Sequence, residues 1–182
     1  MRFSKRIPKC RKCGYARETI PHVLNHCKPH GDAWKRRHDA IQNRVARAIP
    51  SSFGSVSFNK KFSGLSKTLI PDMVLMKSGE VLIIDFTVTF EDRLKSLATA
   101  RQGKIDKYLP NVEHLRREGK VAHVDAIVVG SLGSWDPSND AALAQMGISP
   151  KYAKLMRKLI CSDTIRWGRD IYIQHLTDKK QY

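Results

Sequence analysis

The sequence predicts an α/β domain: a small mixed β-sheet flanked by helices, with a Cys/His-rich segment ahead of it and further helices behind. Three observations carry that expectation. Two β-rich runs, 69–76 and 81–90, are joined by Lys77-Ser78-Gly79-Glu80, the pattern of a hairpin. A helical stretch over 92–118 separates them from a third apolar, β-branched run at 121–129, which has the length of a buried strand. Helical patterns over 138–146, 150–160 and 163–176 then finish the chain.

Taken in order, residues 1–9 read as a disordered basic leader, and 10–30 as a segment too short for its own apolar core. A helix is expected over 32–49, where Trp34, Ile41, Val45 and Ala48/Ile49 recur at helical spacing until Pro50 and Ser51-Ser52 stop it. The Ser-, Gly- and Lys-rich stretch 53–69 suggests a short strand and a basic loop, and Pro110 predicts a break in the 92–118 helix. The division is residues 1–31 as leader and knuckle and 32–182 as the main domain, a length that suits one core with an appendage. There is no internal repeat.

The formal charge is +16, of which +10 falls in residues 1–50 and +6 in the rest. So large an excess implies a polyanionic partner, concentrated on the N-terminal third. No apolar run is long enough for a membrane span, and the basic N-terminus lacks the apolar stretch of a signal peptide. Four cysteines, three of them within residues 10–27, point to thiols or metal ligands in a reducing compartment, with Cys161 as core packing.

The spacing Cys10-x2-Cys13-x8-His22-x4-Cys27 offers four ligands of the kind zinc takes in a closed tetrahedron. A segment without a core needs such a staple to fold. His26 and His30 compete with His22 for the fourth place, and the surrounding cations would set the knuckle against phosphates.

Asp72 opens one strand of the predicted hairpin and Asp85 sits in the middle of the other, in Ile83-Ile84-Asp85-Phe86-Thr87. Carboxylates are costly among so many aliphatic side chains, and two on paired strands can converge on one hard cation such as Mg²⁺. Two Asp–cation ion pairs are the structural alternative. In the following helix Leu94, Leu97, Ala98, Ile105 and Leu109 form an apolar stripe, and Arg101, Lys104 and Tyr108 lie on it by i+3 and i+4 spacing. Cations on a core-facing stripe need an anion, and the carboxylate pair with a bound phosphate would supply it; snorkelling of Lys104 is the alternative. His38, between Trp34 and Ile41, reads equally as a buried structural or a catalytic histidine.

These motifs resemble the restriction-like endonuclease domain at the C-terminal end of site-specific non-LTR retrotransposons, the group inserting into ribosomal RNA genes. The resemblance runs from the Cys/Cys/His/Cys knuckle through His30-Gly31 and Arg37-His38 to Pro71-Asp72, Asp85, Lys104 and Tyr108, and continues in the tail 162–172. It implies a restriction-endonuclease-like core whose metal motif is Asp, then Glu or Asp, a variable residue, and Lys. Thr87 stands in that lysine's place and Lys104, on the next helix, is implied to replace it. The basic residue usual before Pro-Asp is Ile70 here, with Lys67 as its substitute, and Asp39 follows Arg37-His38 where Asn is common.

The resemblance implies a Mg²⁺- or Mn²⁺-dependent endodeoxyribonuclease that nicks double-stranded DNA and leaves a 3′-hydroxyl for target-primed reverse transcription. The expected site has Asp72, Asp85 and the Phe86 carbonyl on magnesium, with Lys104 and Tyr108 catalytic. Zinc would be held by Cys10, Cys13, His22 and Cys27, and DNA by Arg37, His38, Arg44, Lys60, Lys61 and Arg101. The implied setting is a nuclear polypeptide that also carries a reverse transcriptase and meets the element RNA. The competing reading is a zinc-knuckle module that binds DNA or RNA without cutting. The Asp pair with its stripe lysine argues against it, since carboxylates repel phosphate unless a metal intervenes.

Overall fold

A computed structural model describes residues 9–65 and 69–182; the leader ahead of Lys9, and Lys67, lie outside the described residues. The sheet is four-stranded, in the order β1 (Ser55–Phe58), β2 (Met73–Lys77), β3 (Glu80–Thr89) and β4 (Val121–Gly130). The pairs β1–β2 and β2–β3 are antiparallel, and β3–β4 is parallel, so the sheet is mixed as expected. Ser78 and Gly79 both have positive φ (47° and 86°) and join Lys77 to Glu80, the two-residue hairpin geometry that favours glycine.

Strand parity sorts the core into two layers. Met73, Leu75, Ile84, Phe86, Ile127 and Val129 face one side of the sheet, where Ile41 and Val45 of α2 (Gly31–Ala46), Leu143 of α4 (Asn139–Gln145) and Met156 and Ile160 of α5 (Pro150–Thr177) cover them. Val74, Val81, Ile83 and Ala122 face α3 (Leu94–Arg117), meeting Tyr108, Val112 and Leu115. Asp85 shares the parity of Ile83 and so points at α3, whereas Phe86 points at α2. A short helix α1 (Ile20–Asn25), capped by the Thr19 hydroxyl on the His22 amide, leads into α2 through a 3₁₀ turn, Lys28–His30.

The structure corrects the sequence reading in four places. Strand β2 starts at Met73, after Asp72, because Pro71 has no N–H to give and the carbonyls of Leu69 and Ile70 are taken by the side chains of Asn111 and Tyr108. Helix α3 runs unbroken through Pro110; those two side-chain bonds and the buried Val112 and Leu115 offset the roughly 3 kcal/mol a helical proline costs. The C-terminal helix α5 does not divide near 161–162, since Thr164 bonds back to the Ile160 carbonyl and Asp163 is drawn to Arg44 of α2. Finally, the inward face of α3 is Leu97, Arg101, Tyr108, Asn111, Val112 and Leu115, while Ala98 and Leu109 are exposed. The Leu94 side chain lies outside the description.

Candidate metal cleft and Cys/His cluster

Continuing the β2–β3 register one step beyond Met73↔Ile84 sets Asp72 opposite Asp85. Both line a cleft of about 310 Å³ with His38, Lys104, Lys107 and Tyr108. Asp72 is fixed from three sides: its carbonyl accepts from Gln42 Nε2 (3.1 Å) and the Asn59 amide (3.1 Å), and its Oδ2 accepts from the Phe86 amide (2.8 Å). His38 Nε2 meets the same Oδ2 at 3.0 Å, and its Nδ1 lies 3.1 Å from Asp39. Lys104 Nζ sits 2.5 Å from Asp85 Oδ2, and Tyr108 donates to the Ile70 carbonyl at 2.9 Å.

The two carboxylates differ in charge preference. Burial pushes Asp85, 1% exposed, upward; the neighbouring Asp72 charge adds to that and Lys104 only partly opposes it. Burial also raises Asp72, but the bonds from His38 and the Phe86 amide outweigh it and hold its carboxyl below the usual range. His38 is raised, because its bond to Asp72 outweighs burial, and burial plus the Asp85 charge keep Tyr108 a neutral phenol. The ionic part of the His38–Asp72 contact therefore stabilises the fold only while Asp72 is ionised and His38 protonated. That contribution is fully present below the ordinary histidine value of 6.5, down to the acid range of Asp72, and is lost as pH rises through the raised folded value. In EDTA, His38→Gln is expected to melt a few degrees below wild type at mildly acidic pH and to converge with it in alkali. A gap constant across pH would deny the contact its ionic part.

The remaining expected residues are distributed less simply. Arg37 lines the cleft but is 2% exposed, with Nη2 on the Leu24 carbonyl at 3.1 Å and burial lowering its pKa to about 10. Arg101 is drawn away from the pair: its guanidinium donates to Asp136 (2.9 Å), Asn139 (2.6 Å) and Asp125, tying α3 to β4 and the start of α4. Arg44 is bound to Asp163. Lys60 lies over the Phe62 ring at 5.7 Å and Lys61 is exposed, both just after β1. Gln42, one turn after His38, and Lys107 were not singled out from the sequence; the i+4 spacing of Gln42 was the available signal.

At the N-terminus the four ligand atoms of Cys10, Cys13, His22 and Cys27 lie within 4.8 Å of one another. Cys10 Sγ and Cys27 Sγ are 3.7 Å apart, and Cys13 Sγ is 3.2 Å from His22 Nε2. A tetrahedral zinc with bonds of about 2.3 Å to sulfur has ligand edges of about 3.8 Å, so the set fits zinc. Tyr15 stacks flat on the His22 ring at 4.6 Å. His26 is exposed and outside the cluster, whereas His30 is buried behind it. The sequence reading missed the third wall: His175 of α5, wholly buried, touches both Glu18 and His30. No local pattern announces a partner so distant in sequence.

No protein-family model matches the chain. Among solved structures it is similar to a Phenuiviridae cap-snatching endonuclease (19% identity, 80% of this chain and 66% of that one, TM-score 0.44). It is also similar to the small subunit of the heterodimeric restriction endonuclease R.BspD6I (14% identity, 85% and 95%, TM-score 0.32). Among curated proteins it is 25% identical over 157 residues to the retrovirus-related Pol polyprotein of the type-1 retrotransposable element R2 from Popillia japonica. That match takes in 84% of this chain and 32% of the polyprotein. The chain is thus a homologue of a segment of an R2-element polyprotein, the kind of element its motifs resemble.

Proposed function

We propose that the chain is the endonuclease domain of a larger retrotransposon polyprotein and hydrolyses one strand of duplex DNA with Mg²⁺ or Mn²⁺. The observation that carries this reading is the cleft itself: Asp72 and Asp85 on neighbouring strands, with Lys104 2.5 Å from Asp85. Carboxylates aimed into a basic cleft make little sense for gripping phosphate alone. A divalent ion would offset their like-charge repulsion. The oxygens of Asp72 and Asp85 would hold it. Phe86 reaches Asp72 through its amide, and its carbonyl is the proposed backbone ligand.

When bound, the ion supplies Lewis-acid polarisation of the scissile phosphate and a more acidic water. The chain's own residues supply the rest. Lys104 orients the attacking water or neutralises charge building on the phosphate oxygens. Tyr108, neutral and pinned to the Ile70 carbonyl, positions the phosphate beside it. His38 and the Phe86 amide keep Asp72 ionised and aimed. Lys60 and Lys61 are proposed to meet the DNA backbone, while Arg37, buried beneath the cleft, would act only through its positive charge. Arg44 and Arg101 would contribute by bracing α2 and α3 from within.

In this reading the zinc-stapled knuckle sets the entry to α2, and residues 32–182 do the chemistry. The 3′-hydroxyl left by the cut would prime reverse transcription by a polymerase elsewhere in the polyprotein, in the nucleus and with element RNA at hand. Among the described residues no helix is long and apolar enough to cross a membrane. The test is supercoiled plasmid incubated with the purified chain and Mg²⁺, Mn²⁺ or EDTA. Open circles with either metal and none in EDTA are expected. Tight binding without nicking under every condition would favour the non-cutting zinc-knuckle module instead.

A further inference from the structure

Behind the Cys/His cluster lies a chain of polar groups, two of them buried histidines, that neither the cleft nor the four cluster residues account for. Glu18 accepts from the Arg11 amide (2.7 Å) and Nε (2.9 Å), and from His175 Nε2 (3.0 Å). His175 Nδ1 meets His30 Nε2 at 2.9 Å. The same His175 Nε2 is 4.0 Å from Cys10 Sγ, and the donor atoms of Cys27, His30 and His175 lie within 4.8 Å of one another. His175 and His30 are 0% and 2% exposed, so their mutual contact is shielded from bulk water.

The carboxylate decides where the protons sit. Glu18, held by Arg11, can only accept, so His175 must carry its proton on Nε2. With both rings neutral, its Nδ1 is then a lone pair, which sets the proton of His30 on Nε2. His30 Nδ1 is left as a buried lone pair with no protein partner. The opposite arrangement would set a bare nitrogen against a carboxylate. For neutral rings, one tautomer of each is therefore specified.

We propose that Glu18, His175 and His30 form the outer shell of the knuckle's metal centre, so that the centre is built jointly by the N-terminal segment and helix α5. His175 is a positioning residue in this arrangement: it fixes Glu18 and His30 against Cys10 and Cys27, and brings an N–H toward the Cys10 sulfur. Groups of this kind orient the ligands they touch and typically contribute about 10- to 100-fold in metal affinity. The cluster alone spans residues 10–27 and leaves one side bare; α5 closes it. The inference rests on the Cys/His cluster being a zinc site.

The experiment is zinc affinity of the full chain, by chelator competition, with the Co²⁺ spectrum of the substituted site as a second readout. Wild type is expected to bind one zinc, and no bound zinc would remove the site itself, a separate failure. His175→Ala and Glu18→Gln are expected to lose about 10- to 100-fold in affinity and to shift the Co²⁺ bands. His175→Gln keeps an N–H toward Glu18 and is expected to fall between His175→Ala and wild type. His26→Ala, at an exposed position outside the cluster, is the control and should match wild type. If His175→Ala fails to fold, Glu18→Gln and His175→Gln decide. Folded variants with wild-type affinity and an unchanged Co²⁺ spectrum overturn the proposal.

Discussion

Asp85→Ala is expected to abolish plasmid nicking, and Asp72→Ala to do the same, with DNA affinity unchanged or slightly higher in both. The two losses have different routes. Asp85 is buried in the central region of β3, between β2 and β4, and removing it leaves the Lys104 ammonium facing a void. Asp72 collects bonds from His38 and the Phe86 amide, so its removal takes away a metal oxygen and unpairs two donors. Affinity should hold because each substitution deletes a negative charge from a surface that meets phosphate. Nicking rates and fluorescence-anisotropy binding on the same preparations separate the two effects. Either variant nicking near the wild-type rate, with contaminating nuclease excluded, would falsify the metal pair.

Lys104→Ala is expected to slow nicking by about 10²-fold or more, the scale for a group acting on the transition state, with little change in binding. The Lys104 ammonium is the cation that opposes the burial of Asp85. Its loss should raise the Asp85 carboxyl further and shift the activity profile to higher pH, a signature that mere loss of surface charge lacks. Thr87 belongs to the same strand as Asp85 and lines the same cleft. Thr87→Lys should leave wild-type activity no higher, yet restore some in the Lys104→Ala background. A Lys104→Ala protein with normal turnover would dismiss the relocated lysine and leave the carboxylate pair standing.

Much of this arrangement was legible in the sequence because its determinants are local. Hairpin residues with positive φ, strand alternation and helical spacing each act within a few positions. They suffice to turn Asp85 toward α3 and to set Lys104 on the helix face that meets it. What escaped depends on distant partners. Pro110 stays inside α3 because Leu69 and Ile70 need its neighbours' side chains, and a proline rule cannot see that. Arg101 lies on the expected face, yet Asp125, Asp136 and Asn139 claim its guanidinium before the cleft does. The polar residues near 162–163 look like a helix end until α2 supplies Arg44.

The meeting of His175 with Glu18 and His30 also bears on the order in which the protein assembles. Its contact with Cys10 spans 165 positions, whereas the β2 and β3 strands are joined by two residues. A hairpin closes in microseconds, and a contact across 165 positions waits for the intervening chain to compact. During synthesis on the ribosome, the thiols of residues 10–27 emerge well before the helix that covers them. Early zinc capture would keep nascent chains from oxidation and mispairing until α5 arrives to seal them.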